Sequence, residues 1–138
     1  MKERLISATV MLVLISGVAF GQSKKTIREK KIISTTVDEY FIEEGMTDPV
    51  VESIEKYNEN GDMIELKELN KRGDVKKWEK YVYSDEGNLV EEVFLDEKGR
   101  ITTTEKNIYQ DDLRIEKQYY NNKGNLYKKK VYRYEFRQ

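Results

Sequence analysis

The acidic pairs Asp85–Glu86 and Asp111–Asp112 are dense groups in this chain that could do chemistry. Two carboxylates flanking a glycosidic bond can hydrolyse it, one as general acid and one as base or nucleophile. That route deserves weighing because histidine and cysteine are both absent, which removes Ser-His-Asp triads, Cys-His pairs and the usual zinc ligand sets. Both pairs sit in turn phrases, however, where short acidic side chains hydrogen-bond nearby backbone N–H groups or face water. The turn reading outweighs paired-acid hydrolysis. It also outweighs calcium binding, since neither the EF-hand spacing nor a glycine-rich nonapeptide occurs. No catalytic, metal-binding or cofactor-binding residue is assigned, and the chain reads as non-enzymatic.

Aromatic residues offer binding rather than catalysis. Tyr57, Tyr83, Tyr109 and Tyr134 recur at intervals of 26, 26 and 25 residues. They read either as a stacking ladder for sugar rings or a polypeptide, or as cross-strand packing that stabilises turns, and the packing reading is favoured. The stretch from Lys123 to Gln138 mixes Tyr127, Tyr132, Tyr134 and Phe136 with Lys128, Lys129, Lys130, Arg133 and Arg137. Such a mixture suits a glycan or an anionic surface, but it equally suits a final edge strand whose lysines discourage sheet-to-sheet pairing, and the edge-strand reading is favoured. Trp78, Tyr83, Tyr109, Tyr132 and Tyr134 form the candidate binding surface. The expected partner is an envelope protein, held by a sheet face or edge, with carbohydrate as the alternative.

The elements that would position these residues follow from one phrase that occurs six times: YNENGDM from Tyr57, LNKRGDV from Leu69, YSDEGNL from Tyr83, LDEKGRI from Leu95, YQDDLRI from Tyr109 and YNNKGNL from Tyr120. An apolar residue, polar turn-formers, glycine and a second apolar residue describe a chain that reverses and re-enters a sheet. The glycine positions are spaced 12, 14, 12, 14 and 11 residues apart, counting Leu113 as the fifth. Strands joined by tight turns run antiparallel, so successive turns lie at opposite ends of the sheet. The expected fold is all-β: an antiparallel meander of about eight strands, forming a twisted single sheet or an incompletely closed barrel.

Within each phrase the residue four before the glycine and the residue two after it are expected to face each other. Leu113 cannot supply the positive φ that glycine supplies, so the Asp111–Leu113 turn should differ, with Asp112 left-handed. The odd interval from Ile115 to Tyr120 implies a bulge there. Strict alternation places Tyr57, Met63, Tyr83, Leu89, Tyr109, Ile115, Leu69, Val75, Leu95, Ile101 and Leu126 on one face. The other receives Ile64, Leu66, Trp78, Val82, Val90, Phe94, Ile108, Tyr127 and Val131, and is expected to be the core. Residues 26–42, rich in Ile, Thr and Val, read as strand in preference to helix. Glu43–Asp48 reads as a connection, and Pro49 as a strand start.

YSDEGNL and YNNKGNL are the copies through which the region from Tyr57 to Phe136 resembles the YD, or Rhs-type, repeats. That resemblance implies a β-hairpin repeat fold and relatives among small exported envelope proteins. It implies no activity, and the shell-forming role of large members does not carry over to so short a chain.

Lys2, Arg4, the apolar run from Leu5 to Phe20, and Ala19 and Gly21 read as a signal peptide spanning residues 1–21. Its apolar run is short for a membrane span, so no stable span is expected after cleavage. The product is then one domain, comprising an N-terminal segment 22–48 and the repeat region 49–138, periplasmic or secreted. After removal of the leader, 23 basic and 25 acidic residues remain, which gives no global attraction to nucleic acid. Charge is uneven between turns. The loops 58–62, 84–88 and 110–114 carry six acids and one base, whereas 70–74, 96–100 and 121–125 carry five bases and three acids. An end-to-end polarity follows, with self-association as its functional reading and solvated turns as the favoured one.

Overall fold

The computed structural model describes residues 22–45 and 47–138; the leader assigned to residues 1–21 lies outside them. Eight strands form one antiparallel sheet in sequence order: β1 Ser34–Glu39, β2 Val50–Tyr57, β3 Met63–Leu69, β4 Val75–Tyr83, β5 Leu89–Leu95, β6 Ile101–Gln110, β7 Leu113–Asn121 and β8 Leu126–Val131. The sheet is an open meander, with β1 and β8 as its free edges.

The repeated phrase builds the same turn five times. In YNENGDM the Gly61 amide donates to the Asn58 carbonyl and the Asn58 amide to the Asp62 carbonyl, closing a type I turn onto a left-handed glycine at φ 82°. The Asn58 side-chain oxygen accepts from the amides of Asn60 and Asp62, which fixes the turn locally. Asn70, Asp96 and Asn121 repeat that double acceptance, and Ser84 makes part of it. The flanking apolar pairs face each other as expected: Tyr57 with Met63, Leu69 with Val75, Tyr83 with Leu89, Leu95 with Ile101 and Tyr120 with Leu126. In the irregular copy Asp111 and Asp112 both take positive φ, 50° and 60°, and Gln110 pairs with Leu113. Two left-handed residues make a two-residue hairpin, so the chain loses a loop residue instead of straining Leu113.

A bulge in every hairpin overturns the expected division of faces. One residue beyond each facing pair the register slips, leaving Ile64, Lys76, Val90, Thr102, Ile115 and Tyr127 as extra residues; in the irregular copy that pair is Tyr109 with Arg114, not the expected Tyr109 with Ile115. The bulge expected near Ile115 is present, but it is one of six. A single extra residue exchanges the faces of everything beyond it. The turns after Tyr57, Tyr83 and Tyr109 form the tyrosine end of the sheet, and those after Leu69, Leu95 and Tyr120 the leucine end. The tyrosine-end pairs therefore share one face with Glu55, Leu66, Glu79, Tyr81, Glu92, Phe94, Glu105, Asn107, Lys117 and Tyr119, here called the inner face. Trp78, Val82, Ile108 and the leucine-end pairs lie on the outer face.

The core is on the inner face, not the Trp78 face. Leu66, Tyr57 and Tyr119 are buried there, together with Ser53, Glu55, Glu79 and Asn107. Ile64, Val82, Ile108, Tyr127 and Val131, expected inside, are exposed. No second layer covers the inner face among the described residues, so its burial is what a sheet coiled toward that side produces; bulges sharpen such coiling. The core is thin: Leu66, 2% exposed, is the most buried hydrophobic side chain of the sheet.

Residues 26–42 are not all strand. Lys24–Glu29 forms the helix α1, because Lys, Arg and Glu are good helix formers and the Ser23 hydroxyl caps the Thr26 amide. Lys31 at φ 54° ends it, and the expected strand survives as β1. Helix α1 lies on the first tyrosine-end turn, buries Ile27, and passes so close that a Cβ at Gly61 would stand 2.5 Å from the Lys24 carbonyl oxygen. A short 3-10 turn, Ile42–Glu44, occupies the connection before Pro49, and β2 starts one residue after that proline.

Candidate functional site

The inner face is a lattice of charges and phenols held by neighbours across strands. Lys117 on β7 reaches both Glu105 on β6 and Glu92 on β5, the latter at 3.6 Å. Burial pushes the Glu92 carboxyl above the usual range; Lys117 opposes that shift, and Glu105 reinforces it. Burial depresses the Lys117 ammonium, but the hydrogen bond and charge of Glu105, followed by the charge of Glu92, outweigh it and leave the ammonium raised. The Tyr57 hydroxyl donates to Glu55 and the Tyr81 hydroxyl to Glu79. Both phenols are raised, first by burial and then by the carboxylate each one faces. Asn107 donates to the Leu89 carbonyl, while its own side-chain oxygen is buried without a partner. Each of these acids has a lysine or a tyrosine as its partner.

Tyr83, Tyr109 and Tyr134 share one task, and it was only half visible in their spacing. Each hydroxyl donates to the backbone carbonyl of a residue twenty earlier: Tyr83 to Met63 at 2.9 Å, Tyr109 to Leu89 at 3.1 Å and Tyr134 to Arg114 at 2.6 Å. Each acceptor lies next to the preceding tyrosine-end turn, so Tyr83 and Tyr109 lock that turn to β4 and β6, and Tyr134 locks it to the segment after β8. Tyr57 belongs to the series by spacing but bonds Glu55 instead. Packing, not a free stacking ladder, describes the series. Tyr132 lies beside this lock, with the Arg114 guanidinium 4.5 Å from its ring centre and its amide on the Ile115 carbonyl.

Trp78 is not brought together with those tyrosines; it lies on the outer face. Its indole N–H donates to Glu65 at 2.8 Å, and the Lys67 ammonium sits 3.9 Å from the ring centre. The ring also abuts the leucine-end turn, where a Cβ at Gly99 would stand 3.2 Å from it. Burial pushes the Glu65 carboxyl up, but hydrogen bonds from Lys56 and Trp78 outweigh it and hold the group below the usual range. Trp78 therefore organises β3, β4 and the β5–β6 turn.

What the outer face does offer is aliphatic. Ile64, Val82, Ile108 and Val131 are 36%, 48%, 40% and 61% exposed and cross the face in its tyrosine-end half, from β3 to β8. Register sets them in an oblique band: Val82 faces Glu91, whose partner on β6 is Lys106, two residues before Ile108, and Glu116 faces both Ile108 and Val131. At the β3–β4 end the band enters a groove of about 570 Å³ lined by Ile64, Glu65, Lys80, Val82 and Asp85. Sequence reasoning found these residues but assigned them to the core. Six bulges, invisible to alternation, account for the error.

The expected end-to-end polarity is offset by the N-terminal segment. Residues 23–31, with five bases and one acid, lie at the acidic end, where Lys24 pairs with Asp62 at 2.6 Å. The acidic connection meets the basic end through Glu44 and Lys71. A cleft of about 640 Å³ lined by Ile27, Arg28, Ile32, Ile33 and Tyr57 separates α1 from the first hairpin. Among the described residues no group of acids is placed to hold a metal ion, and no helix is long and apolar enough to cross a membrane. No family model matches the chain, and no curated protein and no solved structure is significantly similar to it.

Proposed function

We propose that this protein is an exported, non-enzymatic binding module of the cell envelope that takes a protein partner on the outer face of its sheet. The observation that carries this reading is the band Ile64, Val82, Ile108 and Val131, exposed on a protein whose buried core is so small. Aliphatic side chains ranged across a sheet face, with charges such as Lys80, Glu91 and Glu116 beside and between them, have the make-up of a protein-binding patch. Carbohydrate binding is less well supported, because the Trp78 indole N–H and the hydroxyls of Tyr83, Tyr109 and Tyr134 are engaged within the molecule and the Lys67 ammonium lies over the Trp78 ring.

Envelope protein, glycan and lipid fractions offered separately to immobilised protein test the reading. Retention of a defined partner from the protein fraction, lost in the Val82→Lys, Ile108→Lys variant with its circular dichroism unchanged, is the expected result. Retention from the glycan fraction, with a shift of Trp78 emission, would transfer the function to the alternative.

A further inference from the structure

We infer that the two free edges of the sheet are complementary, so that β1 of one copy pairs with β8 of another and the meander continues from molecule to molecule. Both edges are open: all six residues of β8 and five of the six in β1 are exposed, and no described element lies along the outer side of either. Their charges are opposite. β1 ends in Asp38 and Glu39, and β8 carries Lys128, Lys129 and Lys130.

Direction and placement agree with charge. In an eight-strand meander the first and last strands run oppositely, so β8 beside β1 of the next copy makes another antiparallel pair. β1 finishes, and β8 begins, at the leucine end of the sheet, so overlapping the two strands over their full length, with Glu39 opposite Leu126, sets Asp38 and Glu39 within one or two residues of the lysine run. Within one copy the register sets Leu126 level with Ser34, so the next copy is displaced along the strands by the length of β1. Opposite charges across such a pair stabilise it. The same lysines exclude the competing arrangement, because two β8 strands about a two-fold axis would set lysine against lysine. The lysine edge thus selects its partner as well as protecting against indiscriminate pairing. A joint between different edges is heterologous, so the product is an open row or a ring and not a closed dimer.

Sedimentation velocity of residues 22–138, which hold every described element, tests the inference across protein and salt concentration. Oligomers that grow with concentration and dissociate as salt rises are expected, since the charges at an exposed joint are screened within about 8 Å at physiological ionic strength. Reversing one edge, as Lys128→Glu, Lys129→Glu, Lys130→Glu or as Asp38→Lys, Glu39→Lys, should leave each variant monomeric. Mixing the two variants should restore assembly, because every joint between unlike molecules is again complementary. A wild-type monomer at low salt and high concentration would overturn the inference. So would association indifferent to both reversals, or abolished only by Val82→Lys, Ile108→Lys, which places the contact on the outer face instead. The outer-face partner is tested separately by the fractionated pull-down, so either proposal can fail without the other.

Discussion

The two faces of this sheet are built from the same residue types and differ in how much those residues are used. On the inner face Glu92, Glu105 and Lys117 bond one another, and phenols close onto carboxylates and carbonyls. On the outer face the pairs Lys56–Glu65, Lys106–Glu91 and Lys129–Glu116 keep their lysines exposed, and aliphatic side chains are exposed between the charges. One residue per hairpin makes the difference, since the bulge decides which half of each strand turns inward. Local composition therefore says little about burial here.

The contrast is most easily broken by truncating one side chain on each face. Leu66→Ala should cost about 2–5 kcal/mol in urea unfolding. Val82→Ala, on the exposed face, should stay within about 0.5 kcal/mol. Equal costs would erase the distinction between the faces.

Alkali should attack the inner face alone. Tyr57, Tyr81 and Tyr83 hold their protons more tightly in the folded protein than the ordinary phenol value of 10.0, and Lys117 is raised above 10.5. A group raised on folding contributes fully below its unfolded value, and that contribution is lost as pH rises through the folded value. Stability should therefore fall above pH 10, and Tyr81→Phe should move the onset of alkaline unfolding upward. Phenolate absorbance followed beside circular dichroism reads that onset in the wild type and the variant.

Smaller effects test the tyrosine lock and the irregular turn. Tyr83→Phe and Tyr109→Phe each remove a hydroxyl from a backbone carbonyl and should cost about 1 kcal/mol, read from thermal or urea melts. Replacing Asp111 with Asn and Asp112 with Gly relieves two positive-φ residues and should gain about 0.5–1 kcal/mol in the same melts.

Turns were legible in the sequence because their chemistry is local. Asn58, Asn70, Asp96 and Asn121 hold their own loops, glycine marks the left-handed position, and the facing pairs follow by counting. The different geometry at Asp111–Asp112 followed equally from the missing glycine. Faces were not legible, because a bulge has no residue type of its own: Ile64, Lys76, Val90, Thr102, Ile115 and Tyr127 occupy equivalent places. Helix α1 was hidden in a segment whose later half is strand, and the charge it brings to the acidic end was hidden with it. Tyr83, Tyr109 and Tyr134 recur visibly in the sequence, but the carbonyls their hydroxyls bond lie twenty residues away, beyond any local pattern.

Because the chain contains no cysteine, single Cys variants report one position each against a silent background. Native-state labelling of Val82→Cys, Ile108→Cys and Leu66→Cys with a maleimide measures directly which side of the sheet is open. The account predicts that the first two label as fast as in denaturant, while Leu66→Cys reacts only as the protein unfolds. Protection of Val82→Cys and Ile108→Cys, with ready labelling of Leu66→Cys, would return the core to the Trp78 face and contradict it.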